Sequence, residues 1–141
     1  MPNPDDATLI RILSEAKTIA VVGCSKDSTK DAHRVPMYLQ IQGYRIIPVN
    51  PTADAILGEK AYPSLSAVPV PYDVVDLFRP SRDIPPIADE AILGPAATVW
   101  MQLGIYNAEA AKKVESSGKT VVQGRCIMRE HARLLGGTLL E

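Results

Sequence analysis

The sequence predicts an α/β fold, a doubly wound parallel β-sheet with helices on both faces, and three observations carry that prediction. Short apolar runs without polar alternation (I-A-V-V, V-V-D-L-F, A-T-V-W-M) recur along the chain, as expected of strands covered on both sides. Amphipathic stretches, opened by capping residues and closed by glycine, lie between most of them. Each apolar run then stops in a turn containing Gly, Pro or Asn, which suits short right-handed crossovers. At 141 residues the chain is expected to form one domain, 1–141, with its core over roughly 7–135.

Asn3, Pro4, Asp5 and Asp6 read as a helix start, with Asn3 as the cap and Pro4 in the first helical position. Leu9, Ile10, Leu13 and Ala16 then share a face. Residues 19–22 are the first strand, followed by Gly23 and a polar loop to about His33. Pro36 clashes in a helix interior, so the next helix is expected to begin near His33, carry Val35, Tyr38, Leu39 and Gln42 on one face, and stop at Gly43. Residues 44–49 form the second strand and end in Asn50-Pro51; Pro48 is a misfit there, because a central strand cannot spare a donor.

Residues 52–71 read as loop with one helical turn at 64–67. Residues 73–78 are the third strand and run into Arg79-Pro80; Ser81 or Asp83 caps a helix through Leu93 with Pro85 and Pro86 in its first turn. Residues 97–101 are the fourth strand, followed by Gln102, Leu103 and Gly104. Asn107 caps a helix that buries Ala110, Ala111 and Val114 and ends at Gly118. Residues 120–122 make a short fifth strand, and 127–135 a last helix closed by Gly136-Gly137.

Fifteen basic against sixteen acidic side chains give a net charge of −1, which argues against a general nucleic-acid or membrane-surface binder. No apolar run reaches the roughly 20 residues of a membrane helix. Two cysteines a hundred residues apart, with no signal-peptide pattern, point to a reducing cytoplasm.

In a doubly wound sheet, ligands bind outside the carboxyl ends of the strands. Those ends carry Gly23-Cys24-Ser25-Lys26, Asn50-Pro51, Phe78-Arg79-Pro80, Gln102-Leu103-Gly104 and Gln123-Gly124-Arg125-Cys126. A dinucleotide would want G-x-G-x-x-G after the first strand and an acid after the second; the chain has G-C-S-K-D-S and Asn-Pro. A Walker loop is absent too. What remains is a crevice with Lys26, Arg34 and Arg79 on separate turns, suited to a ligand with several phosphates, and a flat patch of Phe78, Pro51 and Pro80 suited to adenine. Plainer readings stand beside these. Cys24 and Cys126 read as small buried hydrophobes, and His131 as a hydrogen-bonded structural histidine. Neither closely spaced metal ligands nor a catalytic triad can be picked out.

The ordered set V-V-G-C-S, R-V-P-M-Y-L, G-Y-R-I-I-P-V-N-P, L-G-E-K-A-Y-P-S-L, D-V-V-D-L-F-R-P, W-M-Q-L-G and R-C-I-M-R-E-H resembles the stand-alone CoA-binding domain family. That family is similar to the CoA-binding domains of succinyl-CoA synthetase and of ADP-forming acyl-CoA synthetases. The resemblance implies a Rossmann-like domain holding coenzyme A at the carboxyl edge of its sheet. Carried over by position, Gly23, Cys24, Ser25 and Lys26 match the phosphate loop, Arg34 the cation on the following helix, and Asn50 and Pro51 the second turn. Phe78 and Arg79 match the third turn, and Gln102, Leu103 and Gly104 the fourth. The expectation is a module or sensor that binds coenzyme A or a short acyl-CoA without catalysis, with no metal and no catalytic residue. A partner protein or a second copy of the chain could receive the ligand. The rival readings are a component of an enzyme, either a nucleotide-dependent oxidoreductase or an acyl-CoA synthetase subunit needing a separate catalytic chain, and a structural protein with a vestigial crevice.

Overall fold

The computed structural model describes residues 2–137. Five parallel strands form the main sheet in the order β2-β1-β5-β6-β7: β1 (Thr18–Val22), β2 (Arg45–Val49), β5 (Val74–Leu77), β6 (Thr98–Met101) and β7 (Thr120–Val122). A two-stranded antiparallel hairpin, β3 (Ala55–Ile56) and β4 (Glu59–Lys60), stands apart from it. Helices α1 (Asp6–Glu15), α2 (Asp31–Ile41) and α5 (Ile127–Leu135) cover one face through Leu9, Leu13, Val35, Tyr38, Leu39 and Ile127. Helices α3 (Ile84–Leu93) and α4 (Ala108–Ser116) cover the other through Ile84, Ala88, Ala91, Ala110, Ala111 and Val114. The expected doubly wound α/β sheet is therefore present.

Pro48 proves to be compatible with its strand because β2 has only one full neighbour. The Pro48 carbonyl points away from β1 and accepts from the Tyr62 amide at 3.0 Å, so the missing N–H also faces the outer margin. Tyr62 returns a bond to the Asn50 amide at 2.9 Å and makes a single parallel bridge beside Val49. One residue thus occupies the place of a further strand outside β2.

Three local expectations need correction. Asp5, not Asn3, caps α1: its side chain accepts from the Thr8 amide at 2.9 Å, while Asn3 pairs with the backbone of Gln123. On the same helix Ile12 rather than Ile10 faces the core. Helix α2 begins at Asp31, two residues before His33, which places Pro36 inside it. The proline removes the donor that would have reached the Ala32 carbonyl, and that carbonyl instead accepts from the Ser25 amide at 3.1 Å. The helix tolerates Pro36 because the loop after β1 takes up the freed acceptor.

Candidate functional site

The carboxyl ends of the strands lie at one edge of the sheet, and the winding reverses between β1 and β5. Gly23 ends β1 with φ +83°, and a Cβ built there would lie 2.7 Å from the Phe78 carbonyl oxygen. The glycine is required because the turns after β1 and β5 touch backbone to backbone. A side chain at Gly23 would strike the neighbouring turn.

The loop that follows is fixed by its own polar groups. Ser25 Oγ accepts from the Asp27 amide at 3.0 Å, and Asp27 accepts from the Thr29 amide and hydroxyl at 2.9 and 2.6 Å. Those bonds hold the Asp27 carboxyl below the usual carboxylate range. His33 Nδ1 donates to the Ser25 carbonyl at 2.7 Å. After β2, Asn50 donates to the Cys24 carbonyl at 2.9 Å and accepts from the Thr52 and Ala53 amides. Its side chain is committed to joining two turns.

These turns enclose a cleft of about 490 Å³, lined by Gly23, Cys24, Ser25, Lys30, Asn50, Pro51, Leu65, Phe78, Arg79 and Ile87 among others. A second cavity of about 390 Å³ lies on the far side of Phe78 and Arg79, bounded by Asp31, Val35, Gln102, Leu103, Ile105, Cys126, Met128 and Arg129. Phe78 and Arg79 line both spaces and form the ridge between them.

Of the residues singled out from the sequence, Gly23, Cys24, Ser25, Asn50, Pro51, Phe78 and Arg79 meet in the first cleft, while Gln102 and Leu103 join Phe78 and Arg79 around the second. Lys26, Arg34 and Gly104 line neither space. The cation that lines the first cleft beside the loop is Lys30, at the N-cap of α2. It was not singled out because a lysine in a polar loop gives no hint of which way the helix will turn it. Cys24 contributes backbone there, and its side chain is buried in the core. Burial and the neighbouring Asp76 push its thiol up to about 12, so it is a poor nucleophile. Arg79 is not a bare cation: it donates to Asp83 at 2.9 Å, in an ion pair about half open to solvent. That bond occupies the residue expected to cap α3.

Asp76 was not singled out from the sequence. It sits on β5, opposite Val21 and Trp100 in the register, and is fully buried with neither carboxylate oxygen bonded among the described residues. Burial pushes its carboxyl well above the ordinary range, which favours the protonated form. The signal was available as an acid inside an otherwise apolar run.

Among the described residues no three His, Cys, Asp or Glu side chains group to hold a metal, and no helix is long and apolar enough to cross a membrane. Residues 17–132 match the family model for a CoA binding domain. The chain is 42% identical over 132 residues to the uncharacterized protein YneT of Bacillus subtilis, covering 94% of this chain and 98% of that protein. A hypothetical protein from Pyrococcus horikoshii has a solved structure that superposes with a TM-score of 0.91 at 42% identity, over 94% of each chain. An ADP-forming acetate–CoA ligase of Archaeoglobus fulgidus is 34% identical over 83 residues, which are 57% of this chain and 12% of the ligase. The match to that enzyme therefore spans only a small part of its length.

Proposed function

Since the chain belongs to the CoA-binding domain family and is related to a region of ADP-forming acetate–CoA ligases, we propose that it binds coenzyme A or a short acyl-CoA across the carboxyl edge of its sheet. The observation that carries this reading is the convergence of the turns after β1, β2 and β5 on one cleft that has both cations and an apolar wall. Helix α2 reaches this cleft with Lys30 at its N-cap and no side-chain oxygen on its first amides, so donors and a partial positive charge remain for an anion. Lys30 and Arg79 add charge, and Pro51, Leu65 and Ile87 offer a surface for adenine. The bonds of Asn50 disfavour a nicotinamide dinucleotide, because the end of β2 has no spare acid for a ribose.

In this reading the protein acts in the cytoplasm as a module that senses, carries or presents the ligand. Among the described residues lining the cleft no hydroxyl or thiol is hydrogen-bonded to a histidine or carboxylate, and the Cys24 thiol is too basic to serve as a nucleophile. The second reading, a subunit completed by a separate catalytic chain, draws on the ligase that carries a similar region within a much longer protein.

Titration calorimetry with CoA, dephospho-CoA, NAD and NADP tests the proposal. CoA is expected to bind, and Arg79→Ala to weaken it by about 1–3 kcal/mol, the range for losing a charge-assisted hydrogen bond. Heat with NAD alone, or with none of the four on a folded protein, would overturn it.

A further inference from the structure

The second cavity has a chemistry of its own. Val35, Ile105 and Met128 give it apolar walls, and Leu103, 67% exposed, stands at its side with no cover. Gln102 is only 3% exposed, and its Oε1 accepts from the Ile127 amide at 3.0 Å. The Nε2 of the same side chain donates to no protein group among the described residues, so a donor is left open at the cavity wall.

The cavity also has an uncommitted guanidinium. Around this part of the molecule Arg79 is paired with Asp83, Arg125 with Glu130, and Arg133 with Asp6 and Glu130. Arg129, on α5, lines the cavity and has no ion pair or hydrogen bond among the described residues. Asp31 faces the same space from α2, also without an ion-pair partner, and repels an anion from that side. A carboxylate entering here is directed to the α5 side, where the planar fork of Arg129 matches it.

Resting on the CoA-binding reading above, we infer that this cavity receives the acyl part of an acyl-CoA that ends in a second carboxylate, the monothioester of a short dicarboxylic acid. Gln102 Nε2 donates to the thioester carbonyl, the methylenes lie against Val35, Ile105 and Met128, and Arg129 holds the distal carboxylate. The volume of about 390 Å³ equals roughly a dozen waters at liquid density, which suits a short acyl group and the end of the arm that carries it. A ligand seated in the first cleft reaches this space by crossing the Phe78-Arg79 ridge that both share.

Calorimetry of the full chain with CoA, valeryl-CoA and glutaryl-CoA separates this inference from the reading beneath it, because the two acyl groups have equal length and differ only in the terminal group. Glutaryl-CoA is expected to bind about tenfold tighter than valeryl-CoA, the equivalent of about 1.4 kcal/mol. Arg129→Met, which keeps most of the stem, should bring the two within twofold, and Arg129→Lys should restore part of the preference. Equal affinity of the wild type for both acyl-CoAs, with CoA still bound, overturns the inference and leaves the CoA reading standing. Equal weakening of all three ligands by Arg129→Met would assign that residue to the nucleotide phosphates and also overturn it. Failure of the wild type to bind CoA removes both.

Discussion

The two faces of the sheet are built from different materials. Beneath α3 and α4 the strands contribute Ala20, Val22, Ile47, Val49, Val75, Leu77, Val99, Met101 and Val121, an aliphatic layer closed by small helix residues such as Ala88, Ala91, Ala110 and Ala111. Beneath α1, α2 and α5 the layer includes Cys24, Trp100, Tyr38, Tyr44 and His131, and the register adds Asp76 between Val21 and Trp100. Most polar atoms on that face are satisfied. Trp100 Nε1 donates to the Arg125 carbonyl at 2.7 Å, Tyr38 Oη meets His131 Nδ1 at 2.8 Å, and Tyr44 Oη donates to the Leu13 carbonyl. Asp76 is the exception. The difference is one of chemistry: both faces border the clefts at the carboxyl edge, but one is mainly aliphatic with Tyr72 as a buried phenol, while the other buries Asp76, Cys24 and His131.

The contrast can be tested by substitution, starting where both faces meet. Gly23→Val forces a branched residue to φ +83° and drives its Cβ into the Phe78 backbone, so the turns after β1 and β5 must separate. Left-handed strain and overpacking together predict a loss of about 2–6 kcal/mol, read from urea denaturation. Leu77→Ala, on the aliphatic face, should cost about 2–5 kcal/mol and by the same amount at every pH.

Asp76→Asn should behave in the opposite way. The folded carboxyl keeps its proton above the range in which the unfolded one, near pH ~3.9, has lost it. Above that pH the unfolded state binds fewer protons, so wild-type stability declines as pH rises toward the raised folded value. The asparagine variant lacks this decline and should be about 1–3 kcal/mol more stable than wild type at pH 8, with the gap closing toward pH 4. A gap of constant size would show that the carboxyl does not titrate in this window.

His131 tilts the same curve the other way. Burial lowers its pKa, so the unfolded state takes up a proton first as pH falls through about 6.5, and stability drops on the acid side. Tyr38→Phe removes the hydroxyl partner of this imidazole and should have the smallest effect, about 0.5–1.5 kcal/mol. If that loss equalled the loss from Leu77→Ala, the division between the faces would have little energetic meaning.

Much of the architecture was legible because strands buried on both sides need unbroken apolar runs, and because Gly43, Gly118 and Gly136 mark helix ends that no tertiary contact has to specify. What escaped was set by neighbours. Pro48 looked wrong until Tyr62 made β2 a margin, and Pro36 looked confined to a first turn until Ser25 claimed the Ala32 carbonyl. The hairpin at 55–60 is too short to show alternation, and its Leu57, with φ +56°, carries no glycine signal of its own. At the site, the small and apolar turn residues were identifiable from the strand ends. Which cations line the first cleft was not, since Lys26 and Lys30 differ only in the direction the loop gives them, and the pairing of Arg79 with Asp83 depends on how α3 begins.

The margins of the sheet bear on how the protein can assemble. On one side Tyr62 and the amide-less Pro48 interrupt the ladder outside β2. On the other, the Asn3 side chain donates to and accepts from the Gln123 backbone at 2.9 and 2.7 Å just beyond β7, between two prolines that have no amide to offer. Among the described residues, each margin is thus interrupted at the carboxyl end of its edge strand, which hinders addition of a foreign strand there. Self-association through a continuous sheet would therefore meet an obstacle at that end of both edge strands, which favours contacts through the helices instead.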